Sequence, residues 1–145
     1  MNETRSNALI PELSVSDWRA SRDFYCDLIG FSVRYDRPEE GFAFLVLGEA
    51  QLMIDQIGIS RDFDAGGGRL TRPFGRGLNL QIRVPALEPI LARLRTAGIS
   101  LYLEPEEKWY RQGTMEVGNR QFIVADPDGY LLRLFEDLGE RQGEG

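Results

Sequence analysis

The chain contains no histidine. That excludes histidine-activated serine or cysteine nucleophiles, histidine general bases and every metal site that uses an imidazole ligand. A carboxylate-only metal site stays open, but it needs clustered acids. There is one cysteine, Cys26. No disulfide can form within one chain, which fits a reducing, cytoplasmic setting. No run of about 18 apolar residues occurs, so no membrane span is expected. The opening MNETRSNALIPEL lacks the charged-then-apolar pattern of a secretory signal. Positive charge is the scarcer sign: 17 Lys and Arg against 23 Asp and Glu leave a net charge of −6. Nucleic acid is therefore disfavoured as a partner. An acidic protein suits a cationic small molecule, although the same charge also serves ordinary solubility. Gly66–Gly68 are followed by Arg-Leu-Thr and not Lys-Ser/Thr, so they form no phosphate loop.

What is present is organised around Arg120–Glu136, RQFIVADPDGYLLRLFE. Phe122, Val124, Leu132 and Leu134 alternate within two runs joined by Asp126-Pro127-Asp128-Gly129. Proline presets φ at the first turn position and Gly129 tolerates φ > 0, so the stretch predicts a β-hairpin. Upstream, Ala8–Val15 reads as a strand carrying Pro11. A helix follows, with Ser16 as N-cap and a stripe of Trp18, Tyr25, Leu28 and Ile29, closed by Gly30. Phe31–Tyr35, Phe42–Leu47 and Gln51–Ile57 read as strands, and 61–77 as a glycine-rich linker or a loop over a site. The order then repeats. Leu78–Val84 is a strand, and Pro85 opens a helix carrying Leu87, Ile90, Leu91 and Leu94, closed by Gly98. Ile99–Leu103 is a strand, 104–119 a polar loop, and the hairpin completes the second unit. The expected fold is α+β, with two tandem βαβββ modules (about 8–60 and 78–137) as curved half-sheets around a trough, in one domain. Residues 138–145 read as a frayed polar tail.

Leu13-x-Val15-x-Asp17, Phe24-Tyr25-x-x-Leu28-x-Gly30-Phe31, Leu80-x-Ile82-x-Val84 and the Asp126–Gly129 turn with its Leu-Leu-Arg-Leu sequel together resemble the vicinal oxygen chelate superfamily. Within it the chain is similar in type to the bleomycin resistance proteins, over roughly residues 8–137. The resemblance implies that the metal-ligand positions of the superfamily's enzymes fall at Ile10, Met53, Asn79 and Arg133. Two apolar groups, an amide and a cation cannot hold a divalent ion. No metal, no cofactor and no catalytic residue are therefore expected. The resemblance further implies a homodimer with drug grooves, and an N-terminal strand exchanged at a proline hinge, here Pro11; an edge-strand proline is the plainer reading. The related drug-binding proteins carry Trp-Gly before the final hairpin, where this chain has Val117-Gly118.

The candidate ligand-binding residues are Phe42, Phe44, Met53, Asp55, Trp109, Tyr110 and Arg133. Phe42 and Phe44 share a strand face, as a stacking wall or as core. Trp109 and Tyr110 stand in the polar loop, as one wall of a groove or as pins for the loop. Asp55 shares a face with Gln51 and Met53 and could meet a cation. Arg133 shares a face with Leu131 and Phe135; buried there it would need a partner, either Asp55 or a ligand anion. The expected function is stoichiometric capture of a small aromatic, cationic antibiotic such as bleomycin. The alternatives are a metal-dependent superfamily enzyme (isomerase, dioxygenase or thiol transferase) and a binding module for an endogenous metabolite.

Overall fold

A computed structural model describes residues 5–143. The chain divides into two compact units, residues 1–74 with 126–129, and residues 75–125 with 130–145. Each holds a four-stranded sheet.

In the first unit β1 is Glu12–Val15, α1 is Trp18–Asp23, β2 is Ser32–Arg37, β3 is Phe42–Leu47 and β4 is Ala50–Gln56, with sheet order β1-β4-β3-β2. β1 runs parallel to β4, and the other neighbours are antiparallel. Leu13, Val15, Ala43, Leu45, Leu52 and Ile54 form one face, each 2% exposed or less. Trp18, Ser21, Phe24 and Tyr25 of the helical segment are buried with them. The strand begins at Glu12 and not at Ala8, and Pro11 enters the ladder only through its carbonyl, which accepts from the Met53 N–H (2.9 Å). Asp17, not Ser16, caps α1: its carboxylate accepts from the N–H groups of Arg19 and Ala20. The helix continues as a π-helical turn over Phe24–Ile29, and Gly30 ends it in the left-handed region (φ 112°).

Ser16 has another partner. Asp128, 1% exposed, accepts from the Ser16 N–H (3.0 Å) and Oγ (2.6 Å), and from Arg72 Nε (3.2 Å) and Nη2 (3.0 Å). Asp126 accepts from the Tyr25 hydroxyl at 2.7 Å. The Asp126–Gly129 turn is thus a buried polar knot that also holds the base of the glycine-rich segment. Gly129 is required: φ is 103°, and a Cβ would lie 2.6 Å from Pro73 Cβ.

In the second unit β5 is Asn79–Arg83, α2 is Glu88–Thr96, β6 is Leu103–Gln112, β7 is Met115–Ala125 and β8 is Leu131–Gln142, with order β5-β8-β7-β6. The same strand order and the same parallel pair (β5 with β8) recur, so the fold is the expected tandem of βαβββ modules. Leu132, Leu134, Phe122 and Val124 are fully buried, as are Leu87, Leu91 and Leu94 of the α2 region. α2 starts at Glu88 with Pro89 in its first turn, three residues after Pro85.

Three expectations fail here. Residues 104–119 are not a loop: they form most of β6, a tight turn at Gly113-Thr114, and the start of β7. Residues 138–142 of the expected tail are not loose either, because β8 runs to Gln142, opposite Met115; 144–145 lie outside the described residues. The strand at Ile99–Leu103 shrinks to its last residue. β6 is the edge of its sheet, so Glu104, Pro105, Glu107 and Lys108 can sit in it without an apolar partner face, and the register shift between Leu103 and Glu106 accommodates Pro105. No helix among the described residues is long and apolar enough to cross a membrane.

Candidate functional site

Strand alternation puts Phe42, Phe44, Met53 and Asp55 on one face of the first sheet, opposite the face lined by Leu13, Val15, Leu45 and Ile54. Asp55 pairs with Phe42 on one side and Ser14 on the other; Met53 pairs with Phe44 and Glu12. Four of the expected residues are therefore neighbours. The two phenylalanines are not a bare wall, however. Tyr35 stacks on Phe44 (5.2 Å, 18°), the Arg34 guanidinium lies 4.8 Å from the Phe44 ring, and that of Arg37 lies 4.0 Å from Phe42. Phe42 is 4% and Phe44 2% exposed, whereas Tyr35 is 44% exposed. The reachable ring is Tyr35, on the edge strand β2. The register of β2 on β3 aligns Tyr35 with Phe44 and Arg37 with Phe42, but single-strand patterns do not reveal that pairing.

Beside Phe42 the face opens into a cavity of about 190 Å³ lined by Glu12, Arg37, Glu40, Phe42, Asp55, Ser60, Arg61 and Phe63. Asp55 Oδ1 is buried and has no hydrogen-bond partner among the described residues. Burial pushes the Asp55 carboxyl up from its ordinary value, and Glu12, Asp62 and Glu40 push it further, against a smaller opposing effect of Arg37. Arg37 is committed to Glu40 (2.6 Å), so its charge is shared. The pocket sets three carboxylates, one of them unpartnered, against the two guanidiniums of Arg37 and Arg61, next to the Phe42 ring, a combination suited to an organic cation. Phe63, 65% exposed with Arg61 over its ring at 5.0 Å, also lines a second cavity of about 560 Å³. Ser14, Ser16, Ile57, Thr71 and Phe74 line that cavity beneath the glycine-rich segment. Glu12, Asp62 and Phe63 were not among the expected residues. Glu12 was findable from its place two residues before Ser14 on β1; Asp62 and Phe63 come from a segment without periodicity.

Trp109 and Tyr110 do not share a wall. They are consecutive on β6 and face opposite sides of the second sheet. Trp109 lies on Gly118, directly across the ladder, where a Cβ would sit 2.7 Å from three ring carbons. Arg141 covers the indole at 4.1 Å, and Nε1 donates to Glu107 (3.0 Å). Tyr110 takes the other side, with Gln121 and Arg133. Arg133 is half-buried and bonds Gln81 and Tyr110, on the face opposite the buried Leu132 and Leu134.

A divalent metal does not fit the positions that the resemblance marks. Met53 offers a thioether, Ile10 nothing, Asn79 an exposed amide and Arg133 a cation. Among the described residues no group of three or more acidic or thiol side chains is placed to hold an ion.

Residues 8–134 match the profile of the Glyoxalase/Bleomycin resistance protein/Dioxygenase superfamily, and the chain belongs to that superfamily. A bleomycin resistance protein from Geobacillus stearothermophilus is 28% identical over 138 residues, covering 89% of this chain and 96% of its own. The same fold is seen in TnmS3, an antibiotic binding protein from Streptomyces sp. CB03234 (TM-score 0.57, 20% identity, 94% of this chain and 99% of that one). It is also seen in lactoylglutathione lyase from Agrobacterium tumefaciens (TM-score 0.58, 18% identity, 91% and 95%). The fold thus serves a binder and an enzyme alike, and function has to be argued from side chains.

Proposed function

We propose that the chain is a binding protein and not an enzyme: a metal-free, cytoplasmic homodimer that sequesters a small aromatic, cationic compound of the bleomycin type. The observation that carries this reading is the unpartnered Asp55 carboxylate in an acidic cavity walled by Phe42 and Phe63, with the exposed ring of Tyr35 above Phe44 on the same sheet face. A cationic group would meet Asp55 and Glu12, and a planar group would stack on Tyr35. The relatives named bleomycin resistance protein support the drug class, and the poor metal-ligand set supports binding without turnover. Resistance would follow from mass action, since captured drug is withdrawn from its target.

Exchange of the N-terminal segment at Pro11 remains part of the proposal. Within this chain the segment already makes contacts: Asn7 Nδ2 donates to the Glu49 carbonyl (2.7 Å), and the Arg5 carbonyl accepts from Gln51 Nε2 (2.9 Å) and Arg34 Nη1 (3.2 Å). An exchanged dimer would make the same contacts across the two-fold axis. The functional test is calorimetric titration with metal-free bleomycin. Saturable heat with micromolar affinity or better is expected. No heat at high micromolar drug, from a folded protein, would end the reading.

A further inference from the structure

We propose that the second unit carries a receptor for an organic carboxylate, with Arg133 and Tyr110 as the donors, on the sheet face opposite α2. Three side chains there leave their hydrogen bonding incomplete in a complementary way. Gln121 is 2% exposed, and its amide nitrogen donates to Glu106 Oε2 (2.8 Å) and to the Tyr110 hydroxyl (2.8 Å). Both amide hydrogens are then used, so the orientation of the amide is fixed, and Gln121 Oε1 is left buried without a partner. The Tyr110 oxygen also accepts from Arg133 Nη1 at 3.4 Å. With two N–H groups directed at it, the phenol must send its own proton elsewhere, and no acceptor for it occurs among the described residues. Arg133 Nη2 donates to Gln81 Oε1, while Arg133 Nε is buried with no acceptor.

The charge is as unmet as the hydrogen bonds. Among the described residues Arg133 has no ion pair, and its two partners, Gln81 and Tyr110, are neutral. The one carboxylate in the network, Glu106, is engaged by Gln121. The ladder neighbours of Arg133 are mixed: Gln81 lies across from it on β5 and Ile123 on β7, and Leu131 and Phe135 flank it on β8. A half-buried cation without a counter-ion is costly to keep empty. Two free donors and a positive charge match the two oxygens of a carboxylate, and a guanidinium binds that group in a planar fork. The apolar neighbours fit a hydrocarbon body behind it. A donor next to the carboxylate, such as a hydroxyl, would meet Gln121 Oε1.

This inference does not rest on the drug-capture reading, because it uses residues of the second unit only and a ligand group of the opposite charge. The probe is benzoate, and the readout is the Nε–Hε resonance of Arg133 in 15N-correlated NMR of the full chain. The expected result is a saturable downfield shift of that resonance, with none from benzylamine. Arg133→Gln should abolish benzoate binding, and Tyr110→Phe should weaken it by about tenfold, the scale of one charge-assisted hydrogen bond. The response to benzoate and not to benzylamine separates this site from the cation pocket of the first unit. An unmoved Arg133 resonance at saturating benzoate in the folded wild-type protein would overturn the proposal, as would an equal response to benzylamine. Because the wild-type titration needs no variant, a folding defect in Arg133→Gln leaves the test intact.

Discussion

Asp55 combines a structural liability with a binding asset. Its carboxyl is raised by burial first, and then by Glu12, Asp62 and Glu40. The sign of the stability effect follows. At pH below the ordinary carboxylate range Asp55 is protonated in folded and unfolded chains alike. As pH rises through that range the unfolded chain releases its proton first while the folded chain keeps it, so stability falls until the raised value is passed. Asp55→Asn removes this loss. The variant is expected to match wild type at low pH and to exceed it by about 1 kcal/mol at neutral pH, the low end for a partly exposed unsatisfied group. Urea unfolding across a pH series reads the difference. Cation binding should respond in the opposite direction, strengthening as Asp55 ionises and weakening about tenfold in Asp55→Asn. At this scale the sequence was informative where strand alternation operates, pairing Phe42 with Phe44 and Met53 with Asp55 within their strands; the register of β3 on β4 joins the two pairs on one face. It was silent on what covers them, because Arg34, Tyr35 and Arg37 arrive through pairing of another strand.

The elements show the same division. The Asp126–Gly129 hairpin was legible because proline and glycine fix its turn, although the buried roles of Asp126 and Asp128 were not: a polar turn looks the same in sequence whether it faces water or Ser16, Tyr25 and Arg72. β6 was illegible because an edge strand has no need of alternating apolar residues. Its misreading as a loop placed Trp109 and Tyr110 side by side, whereas the strand sends them to opposite faces. Gly118 is the counterpart of that correction. Gly118→Ala should force the indole off β7 and separate it from Arg141, destabilising the protein by about 1–3 kcal/mol, as overpacking does. Thermal unfolding and a changed tryptophan emission would show it; an unchanged melt would mean that the indole has room to move.

For the whole molecule, the repeated element order was the most readable feature, since helix-closing glycines and strand periodicity recur in both halves. Membership of the superfamily agrees with it. The chemistry diverges between the units: acidic and aromatic in the first, a lone guanidinium with neutral partners in the second. Among the described residues neither offers a group of three or more acidic or thiol side chains placed to hold a metal ion. The central claim is that the acidic, aromatic face of the first unit captures the drug. Backbone amide NMR during titration with metal-free bleomycin tests this most directly. Shifts concentrated in residues 12–14, 35–44 and 53–63, saturating together and needing about tenfold more drug in Asp55→Asn, are the predicted result. Saturable binding whose shifts lie wholly outside those stretches, or no shifts at all, would contradict the account.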